Sequence, residues 1–207
     1  MDNREAAVVG ASVVSFIPGV TVEQRQAVKL AALWAESTTL KTLPGATAGE
    51  QYDYYRKQLK FLGWDAQPPE EAHWPDPQRP AIVDQALRRI DAVAGERHSS
   101  GMALAFEALK GEGPALLHFE SRCQERGVFQ LLSCAPVGNN YVDMVVYHEA
   151  ADAKLLTAGF LFRERRSLKV SAELVRFNTR LFVQQHRDKV LRATEKISLK
   201  EIHTLRI

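Results

Sequence analysis

The sequence predicts an α+β protein: a helical N-terminal half packed on an antiparallel β-sheet of about five strands, followed by a C-terminal amphipathic helix. Apolar residues recur at helical spacing in the first half of the chain, and after Pro114 they recur at every second position. The links between the predicted strands are too short for parallel crossovers, so we expect antiparallel hairpins. We expect one domain over residues 1–207, mostly helical in residues 1–112, with the sheet and the last helix in residues 114–207.

Length and composition are those of a globular chain with a sizeable core. The chain has 207 residues, of which 45% are hydrophobic and 25% are charged. These values exclude a collagen-like or disulfide-stapled chain, and they argue against wholesale disorder. Two cysteines, Cys123 and Cys134, are typical of reduced thiols in a cytosolic protein. The predicted hairpins would allow these two thiols to face each other.

Residues 6–20 form a mostly apolar run that ends at Pro18 and Gly19. The run is too short to cross a membrane, because a spanning helix needs about 20 apolar residues. The residues before it are mixed in charge, unlike the basic start of a signal peptide. We predict a buried element, with interfacial membrane contact as the alternative. The predicted location is the cytoplasm, or export without a cleaved signal peptide, and no transmembrane segment is expected.

The helices of the first half are predicted from their start signals. Thr21 with Gln24, and Thr47 with Glu50, have the spacing of capping boxes, in which each side chain satisfies a free backbone amide. The first box precedes an alanine-rich helix expected to end near Thr39. Two further helices are expected, over residues 81–94 and from Ser99 or Ser100 to Gly111.

The strands are predicted from alternation. They are expected at 115–121, 128–134, 141–149, 158–164 and 168–177. In the last of these, Val170 and Ala172 alternate with Ser171 and Glu173, which predicts one buried and one wet face. Asn178 or Thr179 then caps a helix that runs to about Lys196, and residues 201–207 are expected to add an edge strand.

Aromatic residues cluster before a proline-rich connection, residues 65–80, that holds five of the nine prolines. A cluster this dense can line a ligand groove, and the alternative is that it forms core and rim. The candidate binding residues in this region are Tyr52, Tyr55, Trp64 and Trp74.

Positive charge is concentrated at the C-terminal end. Residues 151–207 carry 13 Lys and Arg against 6 Asp and Glu, whereas residues 1–150 carry 14 against 19. Arg180, Arg187 and Arg192 are therefore candidate contacts for an anionic surface or a protein partner. The alternative is a solvated basic face. Acidic residues interrupt the basic run, so nucleic acid is not favoured, and a homo-oligomer is left open.

Catalytic motifs are absent from the sequence. No P-loop, dinucleotide fingerprint or H-E-x-x-H metal motif is found, and no two histidines have helical metal-binding spacing. We predict no metal and no cofactor. Cys134, His148 and Glu149 remain as candidate catalytic residues, because Cys134 and His148 are expected on neighbouring strands and a thiolate needs an adjacent base. The alternative is a buried thiol with a His and a Glu at the rim.

The residues from Tyr54 to Trp64, together with Phe129-Gln130, Ser133-Cys134 and Phe160-Leu161-Phe162, resemble a family of bacterial and fungal proteins of similar length. That family has a Trp-Tyr…Gly-Trp helix, whereas this chain has Tyr54 in place of the tryptophan. The similarity covers most of residues 13–207. It implies the α+β layout and brings no assigned activity and no catalytic residues.

Two functional hypotheses follow from these observations. The first is a non-enzymatic binding or interaction protein, such as a secreted effector or toxin-like factor, that acts on a protein partner or a membrane surface. The second is a small hydrolase or transferase with a pocket between the helices and the sheet, where concave sites are common.

Overall fold

The computed structural model describes residues 4–66, 70–72, 81–150, 156, 158–162 and 169–207. Within these residues it contains seven α-helices and eight β-strands. In chain order they are β1 (Glu5–Val9), β2 (Ser12–Phe16), α1 (Val22–Thr42), α2 (Ala48–Phe61), β3 (Trp64–Ala66), β4 (Glu70–Ala72), α3 (Ile82–Ala94), α4 (Glu96–Gly111), α5 (Gly113–Arg126), β5 (Val128–Val137), β6 (Tyr141–Ala150), β7 (Lys169–Asn178), α6 (Thr179–Gln185), α7 (Arg187–Glu201) and β8 (Ile202–Leu205).

The strands form one mixed sheet in the order β3-β7-β6-β5-β2-β1-β8, and β4 also pairs with β7. β2 runs parallel to β5, whereas every other described pair is antiparallel. The α+β class is confirmed, and the antiparallel sheet of about five strands is corrected to a larger, mixed sheet. The parallel pair was missed because five helices separate β2 from β5, so no local signal connects them.

The apolar run at residues 6–20 forms the hairpin β1–β2. Val9 pairs with Ser12, so Gly10 and Ala11 form a two-residue turn, and Gly10 has a φ of +55°. The run is buried from Ala6 to Ile17. The prediction of a buried element is confirmed, and the hairpin leaves no exposed apolar face for membrane contact.

Helices cover the sheet on both sides, because successive strand residues face opposite sides and both sets are apolar. The first face, which includes Val14, Leu132 and Met144, packs against α1, α2, α6 and α7. The second face, which includes Val13 and Leu131, packs against α3, α4 and α5. The prediction of one wet face on the last strand was therefore wrong, since Ser171 and Glu173 are buried on the first face.

Two predicted strands are helical. Residues 115–121 lie in α5, where Ala115, Phe119 and Cys123 are buried at helical spacing. Pro114 in the first turn and Gly127, in the left-handed conformation at the C-terminal cap, delimit this helix. The segment 158–164 contains a 3₁₀ turn at Phe160–Phe162, and its last two positions lie outside the described residues.

The other elements follow the predictions closely. Both capping boxes are present, at Thr21 and Thr47, and Asn178 caps α6 by accepting a hydrogen bond from the Leu181 amide. β8 forms the expected edge strand beside β1. The predicted last helix is interrupted at His186 and so becomes α6 and α7. α4 begins directly after Gly95, earlier than the predicted start.

Candidate functional site

The predicted catalytic trio is not brought together. Cys134 lies opposite Met144 in the β5–β6 hairpin, whereas His148 lies opposite Gln130, four residues further along each strand. At about 3.4 Å per residue this separates them by roughly 13 Å. Glu149 follows His148 in the strand and therefore faces the other side of the sheet.

The two cysteines are also apart and are poor nucleophiles. Cys134 packs on the first face and Cys123 on the second, so the hairpin does not make them face each other. Both thiols are free and fully buried. Burial raises the pKa of each thiol well above its ordinary value, which disfavours the reactive thiolate.

His148 instead belongs to a buried polar network on the first face, formed by Ser12, Gln130, His148, Tyr52, Glu173 and Arg56. Ser12 donates a hydrogen bond to Gln130 at 3.1 Å, and Gln130 Nε2 lies 3.3 Å from His148 Nδ1. The Tyr52 ring stacks on the His148 ring with centroids 4.0 Å apart. This stacking connects the part of the network on the sheet to Tyr52 on α2.

Glu173 on β7 is the centre of the other half of this network. Tyr52 Oη donates to Glu173 Oε1 at 2.9 Å, and Arg56 binds both carboxylate oxygens, at 2.7 and 2.9 Å. Burial and the Glu173 carboxylate raise the pKa of Tyr52 well above its ordinary value. The network therefore holds α2 to the sheet by charge-assisted hydrogen bonds.

The candidate aromatic residues do not line an open groove in the described part of the chain. Tyr52, Tyr55 and Trp64 are buried in the core of the first face. Tyr52 and Tyr55 recur at helical spacing, and this places both on the side of α2 that meets the sheet. Trp74, the fourth candidate, lies outside the described residues.

The candidate arginines lie at the surface on α6 and α7. Arg180 and Arg192 are exposed, and Arg187 is half-buried. α7 also exposes lysines on the side of Arg192, so that four basic side chains recur every three or four residues along one helical face. We call this set the basic stripe: Lys189, Arg192, Lys196 and Lys200. In the part of the chain that the structure describes, none of the four forms an ion pair.

A charged cavity of about 240 Å³, which the sequence did not reveal, lies where α1, α5 and α7 meet. Its walls combine aliphatic side chains with both signs of charge. It is lined by Leu33, Glu36, Ser37, Leu40, Lys41, Arg122, Glu125, Arg126, Ile197 and Glu201. Arg122 binds Glu201 through two nitrogens and also contacts Glu125, at 2.6 Å.

The floor of this cavity is a buried ion pair. Arg126 Nη1 lies 3.0 Å from Glu36 Oε1, and each side chain is only 6% exposed. Glu36 also accepts a hydrogen bond from the Ala11 amide at 3.3 Å. Burial raises the pKa of Glu36, although the Arg126 charge opposes this effect. The only local signal for this pair is one acidic residue within the alanine-rich side of α1.

The described residues contain no group of three or more His, Cys, Asp and Glu side chains placed to hold a metal ion. The helices seen in these same ranges are all too short or too polar to cross a bilayer.

Comparisons with known proteins do not assign a family. No family model and no curated protein matches the chain. A solved structure described as that of the Evf virulence factor is similar over 91% of this chain and 82% of the other, at 10% sequence identity and a TM-score of 0.39. A likeness this weak supports no inference about fold or function.

Proposed function

We propose that this chain is a non-catalytic binding protein that attaches to an anionic membrane surface through the basic stripe of α7. The single observation that carries this proposal is the stripe itself: four exposed cations on one helical face, none of which forms an ion pair within the described residues. Lys189 also lies over the Phe61 ring, and Arg192 donates to the Asp188 carbonyl. Residues 179–201 hold six Lys and Arg against three Asp and Glu, and one of the three acids, Glu201, is bound by Arg122.

Such a stripe is unfavourable for the helix alone. Like charges spaced three or four residues apart destabilise a helix by about 0.2–0.5 kcal/mol per pair. Near anionic lipid the same side chains each contribute about 1 kcal/mol of attraction. Leu199 is 90% exposed beside Lys196 and Lys200, and it provides an apolar side chain at the contact. Charge and one exposed leucine together favour a peripheral, salt-sensitive attachment.

We further propose that this attachment serves an effector or toxin-like role, with the protein acting at the surface of another cell or compartment. An acidic protein partner is the alternative occupant of the same stripe. The second hypothesis, a hydrolase or transferase, would need a different set of residues, because Cys134, His148 and Glu149 are separated.

The test is flotation with phosphatidylcholine vesicles, with and without phosphatidylserine, at low and high salt. The stripe variant is Arg192→Glu/Lys196→Glu/Lys200→Glu. The matched control is Arg88→Glu/Arg97→Glu/Lys110→Glu, which makes the same charge change on exposed residues of α3 and α4. We expect wild type and control to float only with phosphatidylserine at low salt, and the stripe variant to remain at the bottom.

Equal loss in both variants would show that net charge alone acts, and flotation that resists salt would contradict an electrostatic contact. Failure of wild type to float would overturn the membrane proposal. If the wild type then binds an acidic polypeptide and only the stripe variant loses this binding, the basic stripe would be assigned to an acidic protein partner.

A further inference from the structure

Arg126 is the least satisfied buried charge near the charged cavity. Its side chain is 6% exposed, and neither Nε nor Nη1 has an acceptor with hydrogen-bond geometry among the described residues. Buried cations are normally both paired and fully hydrogen-bonded, because removing them from water is costly. Glu36 supplies the opposite charge, but within the described part of the chain Nε and Nη1 of the Arg126 guanidinium still lack hydrogen-bond acceptors.

The remaining charges of the cavity show which kind of group is missing. Arg122 is satisfied by Glu201 and Glu125, so this part of the wall needs nothing further. Lys41, at the exposed mouth, forms no ion pair within the described ranges. The donors that remain for a ligand are therefore Lys41, at the mouth, and the Arg126 guanidinium, whose Nε and Nη1 are buried and reach the cavity only when that side chain turns toward it. An anionic acceptor would satisfy both.

The apolar side chains of the cavity walls indicate that the rest of the ligand is aliphatic. Leu33, Leu40 and Ile197 line the cavity from α1 and α7. A volume of about 240 Å³ exceeds what one ordered water needs and is close to the lower end of small-molecule pockets. An aliphatic group of a few carbons fits this space.

We propose that the charged cavity binds a small organic anion, with its carboxylate or phosphate held by Arg126 and Lys41 and a short aliphatic part against Leu33, Leu40 and Ile197. This inference goes beyond the proposed membrane attachment and does not depend on it. The cavity opens at the C-terminal end of α7, and none of the four residues of the basic stripe lines it.

The first test compares pentanoate, pentylamine and 1-pentanol, three probes with one chain length and different head groups, at constant ionic strength. Binding is followed by the methyl NMR resonances of Leu33, Leu40 and Ile197. We expect saturable shifts with pentanoate and at least about tenfold weaker binding of the amine and the alcohol. Equal binding of all three probes would overturn the proposal, and so would failure of these three and of inorganic phosphate to bind.

Inorganic phosphate is the fourth probe and separates the two parts of the proposal. Binding of phosphate in competition with pentanoate places both anions on the same donors, as expected. Binding of phosphate alone would retain the anion site and overturn the aliphatic part of the ligand.

Two variants locate the binding. Leu40→Trp fills the mouth from an exposed position and leaves the buried ion pair intact, so we expect it to fold and to lose pentanoate binding. Arg126→Lys keeps the charge but loses the fork, and it should weaken binding about tenfold. Arg97→Lys, at an exposed position of α4 that does not line the cavity, is the control and should bind as wild type. Unchanged binding by Leu40→Trp overturns the assignment even if Arg126→Lys does not fold.

Discussion

On the second face of the sheet, aromatic rings make much of the contact between elements. The Phe129 ring lies 5.4 Å from that of Phe160, which stacks on Phe119 at 6.0 Å. On the first face, the contacts between helices and sheet include a buried ion pair, in which Arg56 on α2 binds Glu173 on β7. A second buried pair, Arg126 on α5 with Glu36 on α1, lies beside the β1–β2 turn, where helices of the two faces meet. The second face also contains buried polar groups: Tyr147 donates to Glu149, and His98 on α4 donates to the Ser133 carbonyl on β5.

Because of this difference, the two faces should tolerate substitutions differently. Ring packing is non-directional, so a smaller apolar side chain loses contact area and little else. A buried ion pair is directional, and loss of one partner leaves the other charge uncompensated in the interior. The basic stripe lies on α7, a helix of the first face, and the charged cavity lies where α1 and α7 of the first face meet α5 of the second. The interactions of the first face should therefore be the more sensitive to substitution.

The largest expected effect comes from breaking the ion pair of the buried polar network. Arg56→Met leaves the Glu173 carboxylate buried with fewer partners and should lower the free energy of unfolding by about 3–5 kcal/mol. Phe129→Leu on the second face should lower it by only about 1–1.5 kcal/mol. Urea denaturation followed by circular dichroism measures both.

A second substitution sharpens this result. Adding Glu173→Leu to Arg56→Met removes the buried carboxylate that has lost its cation, so the double variant should be more stable than Arg56→Met alone. A double variant that is less stable than the single one would show that packing, rather than charge, dominates the effect of Arg56.

An intermediate effect is expected at the β1–β2 turn, where the Glu36 carboxylate lies against Gly10. A side chain at Gly10 would be strained at its φ of +55° and would overlap the Glu36 carboxylate. Gly10→Ala should therefore cost more than the roughly 1–2 kcal/mol of a left-handed alanine. Gly138→Ala is the matched control, because Gly138 has a φ of +64° and open space around it. Equal losses of thermal stability would exclude a role for Glu36.

The smallest expected effect concerns pH and the second face. His98 Nδ1 donates to the Ser133 carbonyl at 3.0 Å, and burial lowers the pKa of His98 below its ordinary value. The unfolded chain therefore binds this proton at higher pH than the folded chain. The contribution of neutral, buried His98 to the free energy of unfolding is fully present above the ordinary histidine pKa. This contribution is lost as the pH falls through that pKa.

His98→Asn retains a donor but cannot titrate. Its free energy of unfolding should fall less than that of wild type between about pH 7.5 and about pH 5.5. Part of the acid sensitivity should persist, because burial also lowers the pKa of His118. Identical pH profiles for the two proteins would contradict the role of His98.

Local signals in the sequence were enough for most of the helices and for the β5–β6 hairpin. The direct pairing of β6 with β7 was not predicted, because a further strand was expected at 158–164 between them. The boxes at Thr21 and Thr47 and the cap at Asn178 form within four residues, so they are set by neighbouring side chains. The same reasoning failed at residues 115–121, where Leu116 and Leu117 obscure the helical spacing of Ala115, Phe119 and Cys123. A short apolar run is compatible with a strand and with a helix, and only its packing partner distinguishes the two.

The α+β class, the cap-defined helices and the surplus of positive charge near the C-terminus could be predicted from the sequence, because each depends on residues close together in the chain. Tertiary structure alone decided the parallel pairing of β2 with β5, the burial of Glu173 on a face expected to be wet, and the meeting of Glu36 with Arg126. Ninety positions separate Glu36 from Arg126 in the chain. Contacts at such distances are set by how helices cover both faces of the sheet, for which the local sequence contains no signal.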